Sequence, residues 1–99
     1  VNDETWVDLA RSTAGRGEVT LPLSASAVSV LGVFAASGPR VVSRLELGRR
    51  AGLTGLSERR CDGIIVELRR ALGHDAIVTV RSRGWRCVEP PLLVSPASA

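Results

Sequence analysis

The sequence predicts an α+β domain with a small amino-terminal antiparallel sheet, three helices and a carboxy-terminal β-hairpin. Three observations lead there. Cys61, Ile65, Leu68 and Leu72 recur at steps of four, three and four, the spacing of a buried helical face. Directly after them, Ile77-Val78-Thr79-Val80 and Trp85-Arg86-Cys87-Val88 flank the turn Arg81-Ser82-Arg83-Gly84, a hairpin pattern. Ahead of the helices, Trp6–Leu9 and Gly17–Leu23 read as short strands joined by the turn-rich Ser12–Gly15.

The first helix is predicted from Ala25 to about Ala36. Ser24 caps it, because a serine hydroxyl accepts from an orphan N–H of the first turn. Val28, Leu31, Val33, Phe34 and Ala35 form its buried side, and Ser37-Gly38-Pro39 ends it. Val41-Val42 is a very short extended piece. Ser43 caps a second helix through about Ala51, with Glu46 placed as in a capping box and Leu45 and Leu47 as apolar anchors. Gly52–Leu56 is the connecting loop, Ser57 caps the third helix, and Gly73 ends it. Pro90 and Pro91 stop the last strand, since proline brings no N–H to a ladder. The expected organisation is 1–4 disordered or linker, 5–89 the folded domain and 90–99 a flexible tail.

Ninety-nine residues make one domain with one modest core. With 44% hydrophobic residues and a net charge of +3, the chain is globular and not a disordered basic tail. All 13 basic residues are arginine. That excludes a Walker-type phosphate loop and lysine chemistry, and it fits a GC-rich genome of actinobacterial type. Arginine forks suit phosphates and guanine edges. No apolar run reaches the roughly 18 residues of a membrane span, no signal peptide is visible, and a cytoplasmic location is expected. There is no methionine, so the chain is expected to be a carboxy-terminal piece of a longer protein.

Catalysis finds no support. His74 is the only histidine, and it follows Gly73 at a helix end. Asp75 beside it has no serine in a nucleophile-elbow pattern to serve. Cys61, Cys87 and His74 lack zinc spacing, so no metal or cofactor is expected. Both cysteines fall on apolar-face positions; they read as two reduced core thiols, with a disulfide between them as the other reading.

The third helix and the hairpin carry the functional signal. At about 100° per residue, Arg59, Gly63, Val66 and Arg70 point away from the apolar stripe, with Glu67 beside them. Arg59 and Arg70 face outward, suited to phosphates, and Arg60 lies toward the flank. A protruding helix beside a basic hairpin suits the groove and backbone of double-stranded DNA. Gly63 has two readings: close approach of the helix backbone to DNA, or drift at a tolerant site.

The pattern resembles the winged-helix effector domain of OmpR/PhoB-type response regulators. That family shows Leu-Thr-Pro-x-Glu-Phe-x-Leu-Leu-x-x-Leu and then Pro-Gly-x-Val-Val-Ser-Arg-x-x-Leu. This chain has Leu23-Ser24-Ala25-Ser26-Ala27-Val28-Ser29-Val30-Leu31, then Val33-Phe34, then Gly38-Pro39-Arg40-Val41-Val42-Ser43-Arg44-Leu45-Glu46-Leu47, in register without a gap. The family's third helix, Asp-Arg-Thr-Val-Asp-Val-His-Ile-x-x-Leu-Arg-x-Lys-Leu, is matched by Glu58–Leu72. Its hairpin, Thr-Val-Arg-Gly-x-Gly-Tyr-Arg, is matched by Thr79-Val80-Arg81-Ser82-Arg83-Gly84-Trp85-Arg86.

The resemblance implies a winged helix-turn-helix with the third helix in the major groove of duplex DNA. The positions that touch bases or nearby phosphates in the family correspond to Arg59, Arg60, Asp62, Gly63, Val66 and Glu67. Arg81 corresponds to the wing arginine that reaches the minor groove. Thr79, Arg83 and Arg86 are candidate phosphate contacts on the same hairpin, and Trp85 is a core aromatic under the wing. Glu67 stands where relatives often have a base-reading arginine, Ile64 where they have histidine, and Val66 where they are often polar. Glu67, Ile64 and the low net charge of +3 leave room for a winged-helix protein-interaction module that no longer reads DNA. The resemblance further implies an amino-terminal regulatory domain, either a phosphorylated receiver or a uroporphyrinogen-III synthase-like domain, and pairing of two copies on DNA. A contact with RNA polymerase is implied at the loop after the second helix, which is shorter here than in the family.

Overall fold

The computed structural model describes residues 4–94. Strands β1 (Thr5–Asp8), β2 (Thr13–Arg16) and β3 (Val19–Thr20) precede helices α1 (Ala25–Ser37), α2 (Arg44–Ala51) and α3 (Glu58–Leu72), and β4 (Ile77–Val80), β5 (Gly84–Cys87) and β6 (Leu92–Val94) follow. One sheet runs in the order β3-β2-β1-β6; the other is the β4-β5 hairpin.

Each helix starts where a serine can cap it. Ser24, Ser43 and Ser57 have extended backbones, and their hydroxyls accept from the N–H groups of Ala27, Glu46 and Arg60. Each such cap contributes about 1 kcal/mol. Helix α1 is the centre of the molecule, with the sheet on one side and α2 and α3 on others. Ala27, Val28, Val30, Leu31, Gly32, Val33 and Phe34 are therefore all buried, as expected of a helix enclosed by its neighbours. Phe34 and Leu31 are fully covered, each contributing roughly 1.5–3 kcal/mol of apolar burial.

The small sheet departs from the sequence reading. Thr13–Gly15 belongs to β2 and not to a turn: Gly15 pairs with Trp6. A side chain at Gly15 would collide with the Trp6 ring, so the glycine makes room for a tryptophan across the strand pair. Trp6 Nε1 donates to the Gly17 carbonyl at 2.8 Å. The β1–β2 turn lies at Leu9–Ser12, closed by Ser12 N–H on the Leu9 carbonyl. The predicted strand 17–23 shortens to Val19–Thr20.

The expected flexible tail fails for Leu92–Val94. These residues form β6, parallel to β1 with Trp6 opposite Leu92 and Asp8 opposite Val94. The sheet is thus mixed, with β6 as its fourth strand. The chain bends away from the hairpin at Val88 and Glu89, and Pro90 and the buried Pro91 lead into β6. Residues 1–3 and 95–99, expected as linker and tail, lie outside the described residues.

In α2, Leu47 is buried but Leu45 is 76% exposed. Two residues separated by about 200° of helix cannot share one buried face. Ala35 is only half-buried at the rim of α1. Glu46 forms half of the predicted capping box: its N–H bonds Ser43, while its carboxylate turns to Arg40 (3.2 and 2.7 Å) and Arg50 (2.8 Å). Hydrogen bonds from Arg40 and then Arg50 hold the Glu46 carboxyl at about 2, below its ordinary 4.5. The stabilisation is therefore complete above pH 4.5 and lost as pH falls toward 2. Glu46→Gln is expected to lower the melting temperature at neutral pH and to match the parent near pH 2, which thermal unfolding followed by circular dichroism across that range checks.

Cys61 and Cys87 are both buried and free. Burial pushes both thiols above their ordinary range, which disfavours the thiolate form.

Candidate nucleic-acid interface

Four sides of α3 do four different things, and the helical repeat decides which residue falls on which. Cys61, Ile64, Ile65, Leu68 and Leu72 face the core. Ile64 is only 6% exposed, so it is a core residue and takes no part in the outer surface.

One flank looks toward the start of α1. Glu67 accepts from Ser24 N–H at 2.6 Å and from the Ser24 hydroxyl at 3.0 Å. Both oxygens are engaged at the N-terminus of α1, where negative charge is favoured by the helix dipole. Glu67 is therefore a brace between α3 and α1, and it lies beside Gly63, Val66 and Arg70 on the outer surface. Arg60 lies on the same flank and donates to Ser26 Oγ at 3.1 Å.

The opposite flank looks toward the hairpin. Arg69 donates twice to the Ile77 carbonyl (3.0 and 2.8 Å) and once to Thr79 Oγ1 (3.0 Å). This fork locks β4 to the helix. Because arginine has no acceptor, Thr79 must accept from it, which leaves the threonine proton free for another acceptor. Glu58 and Asp62 share a cleft of about 420 Å³ with Arg44, Thr79, Ser82 and Arg83. That cleft brings the start of α3 and the hairpin turn to one side of the molecule.

The last side faces solvent. Arg59, Gly63, Val66 and Arg70 are all exposed and fall within about 60° of one another on the helix. Gly63, Val66, Glu67 and Arg70 line one shallow depression with Pro22. At Gly63 an added Cβ would meet nothing within 4 Å. Gly63→Ala is thus expected to stabilise the fold by about 0.5–1 kcal/mol, the helix-propensity difference, as read by urea unfolding.

The hairpin is fixed from two directions. Arg69 holds β4, and Val42 pairs with Trp85 through reciprocal backbone bonds of 2.7 and 3.0 Å. Trp85 packs partly buried against the core, as its sequence position suggested. Arg81 and Arg83 are exposed at the turn. Among the described residues, the guanidinium groups of Arg59, Arg70, Arg81 and Arg83 make no hydrogen bond or ion pair, whereas those of Arg16, Arg40, Arg44, Arg50, Arg60 and Arg69 are engaged within the protein. The expected groove and wing residues therefore divide. Arg59, Asp62, Gly63, Val66, Arg70, Thr79, Arg81 and Arg83 lie on exposed surface of α3 and the hairpin, while Arg60 and Glu67 turn to α1.

Sequence reasoning missed Arg69 and Arg44. Arg44 donates to the Leu56 carbonyl at 2.8 Å and ties α2 to the loop before α3. The helical repeat already places Arg69 toward one flank, but nothing local reveals that a strand lies there. Among the described residues no group of histidine, cysteine and acidic side chains is arranged to hold a metal, and no helix is long and apolar enough to cross a membrane.

No family sequence model and no curated protein matches the chain. Solved structures do. The chain is similar to the DNA binding domain of CpxR from E. coli, at 28% identity and a TM-score of 0.76 over 89% of this chain and 93% of that one. It is similar to the DNA binding domain of E. coli CadC, at 25% identity and a TM-score of 0.68 over 83% of each. It also shares the fold of the DNA binding domain of the response regulator AdeR, solved in complex with an intercistronic region, at 19% identity and a TM-score of 0.76 over 91% of this chain and 99% of that one. A mixed sheet, three helices and a carboxy-terminal hairpin give the chain the winged-helix α+β fold of these DNA binding domains of response regulators.

Proposed function

We propose that this domain binds duplex DNA as the output module of a larger bacterial transcription regulator, with α3 in the major groove and the β4–β5 wing on the minor groove and backbone. The carrying observation is the set of unpaired arginines on α3 and the wing turn: Arg59 and Arg70 on the outward stripe, Arg81 and Arg83 at the hairpin tip. The likeness to the CpxR DNA binding domain supports the same reading. Arg59 and Arg70 grip phosphates on either side of the groove, Thr79 and Arg83 add backbone contacts, and Arg81 enters the minor groove. Asp62 lies toward the wing side of the groove, where a carboxylate can accept from cytosine. An upstream domain supplies the signal, and two copies on repeated half-sites raise the affinity by avidity.

Fluorescence anisotropy with a random duplex tests this directly. About five neutralised phosphates give a log–log salt slope near −4 to −5. Absence of salt-dependent binding at low ionic strength would favour the interaction-module alternative. Of the features that suggested that alternative, Ile64 is buried and Glu67 is bound to Ser24.

A further inference from the structure

We propose that the centre of α3 reads thymine methyl groups, and that Val66 is the residue that tells a T·A pair from a C·G pair. The inference rests on the duplex-binding reading and names the bases that this face selects.

Between the two outward arginines, the stripe offers only Gly63 and Val66. Arg59 and Arg70 lie eleven residues apart, about 16 Å along the axis at 1.5 Å per residue, enough to reach both walls of a groove about 12 Å wide. What lies between them meets the base edges. Gly63 has no side chain, and the space its Cβ would fill is open. Val66 is 43% exposed, an apolar group held outside the core on an otherwise charged surface.

The polar side chains on the α1 flank are committed elsewhere. Both Glu67 oxygens accept from Ser24, and Arg60 donates to Ser26. Asp62 lies toward the wing cleft, off the central line of the stripe. The middle of the helix is therefore left with van der Waals contact as its means of discrimination. In the major groove the apolar feature of a base pair is the thymine C5 methyl. The depression at Gly63 receives it against Val66, Pro22 and Ala71, with Glu67 and Arg70 as its charged lining.

The test uses the 99-residue chain. A preferred duplex is first selected from a random library. Each thymidine in it is then replaced, one at a time, by deoxyuridine, which lacks only the methyl group. The methyl lies in the major groove alone, so contacts of the wing in the minor groove are blind to the exchange. For the parent chain, one or two positions are expected to lose about fourfold in affinity, the effect of one buried methyl-sized group. Val66→Ala is expected to bind the parent and deoxyuridine duplexes within a factor of about 1.5 of each other at those positions, with unfolding unchanged because the residue is exposed. A selected duplex insensitive to every deoxyuridine exchange overturns the inference, as does equal discrimination by the parent and Val66→Ala; in either case duplex binding itself stands. Failure to bind any duplex at low salt overturns the underlying reading together with this one.

Discussion

Replacing both Arg59 and Arg81 with alanine is expected to lower duplex affinity by about 25–900-fold, with each single change costing about 5–30-fold (roughly 1–2 kcal/mol). The two guanidinium groups stand on different elements and have no partner among the described residues, so their removal should leave the fold untouched and the two losses should add. They should also differ in kind. Loss of Arg59, a phosphate contact, should weaken all sequences alike and flatten the salt slope by about 0.9. Loss of Arg81, an arginine in the minor groove, should weaken A·T-rich sites more than others, since that groove is read largely as A·T against G·C. Anisotropy titrations of the three variants on a selected and a random duplex measure both. An Arg60→Ala control should lose much less, because that side chain is bound to Ser26.

The largest effect on stability is expected at Gly84. Its φ is +138°, and a Cβ placed there would lie on the Val42 carbonyl oxygen. That carbonyl accepts from Trp85 N–H at 3.0 Å in the bridge joining the wing to the helical body. Gly84→Ala adds backbone strain of about 1–3 kcal/mol and overpacking of similar size, so a total loss of about 3 kcal/mol or more is expected. Because the clash is with backbone, a rotamer change cannot relieve it. Urea unfolding gives the magnitude, and Trp85 fluorescence should report a loosened wing. Ser82→Ala, two residues away and exposed with φ +64°, should cost far less because the side chain already points into solvent.

Much of this fold can be read locally. The three helix starts are legible because a serine at the right place satisfies an N–H three residues on, whatever the surroundings. The apolar stripe of α3 and the β4–β5 hairpin are legible for the same reason: their periods are properties of short segments. What was misread depends on distant partners. Gly15 looks like a turn residue until Trp6 lies over it. Leu92–Val94 looks like an apolar tail until β1 supplies the neighbouring strand. Leu45 looks like a core residue because composition does not reveal which of two leucines two places apart faces inward.

The site follows the same division. Arg59, Gly63, Val66 and Arg70 share a face by helical geometry alone, and the hairpin arginines are exposed because a turn tip is exposed. The job of Glu67 was illegible, since its partner Ser24 is 43 positions away. So was the Arg69 fork, which depends on where β4 comes to rest against α3.

Backbone amide chemical shifts, followed by NMR as a duplex is added to the isotope-labelled chain, test most directly the idea that α3 and the wing straddle DNA. Arg59, Gly63, Val66, Arg70 and the segment Thr79–Gly84 should shift together and saturate with one affinity, while β1, β2 and β3 on the far side of α1 stay in place. Shifts concentrated in the β3-β2-β1-β6 sheet or the loop after α2, with α3 and the wing turn unmoved, would contradict it.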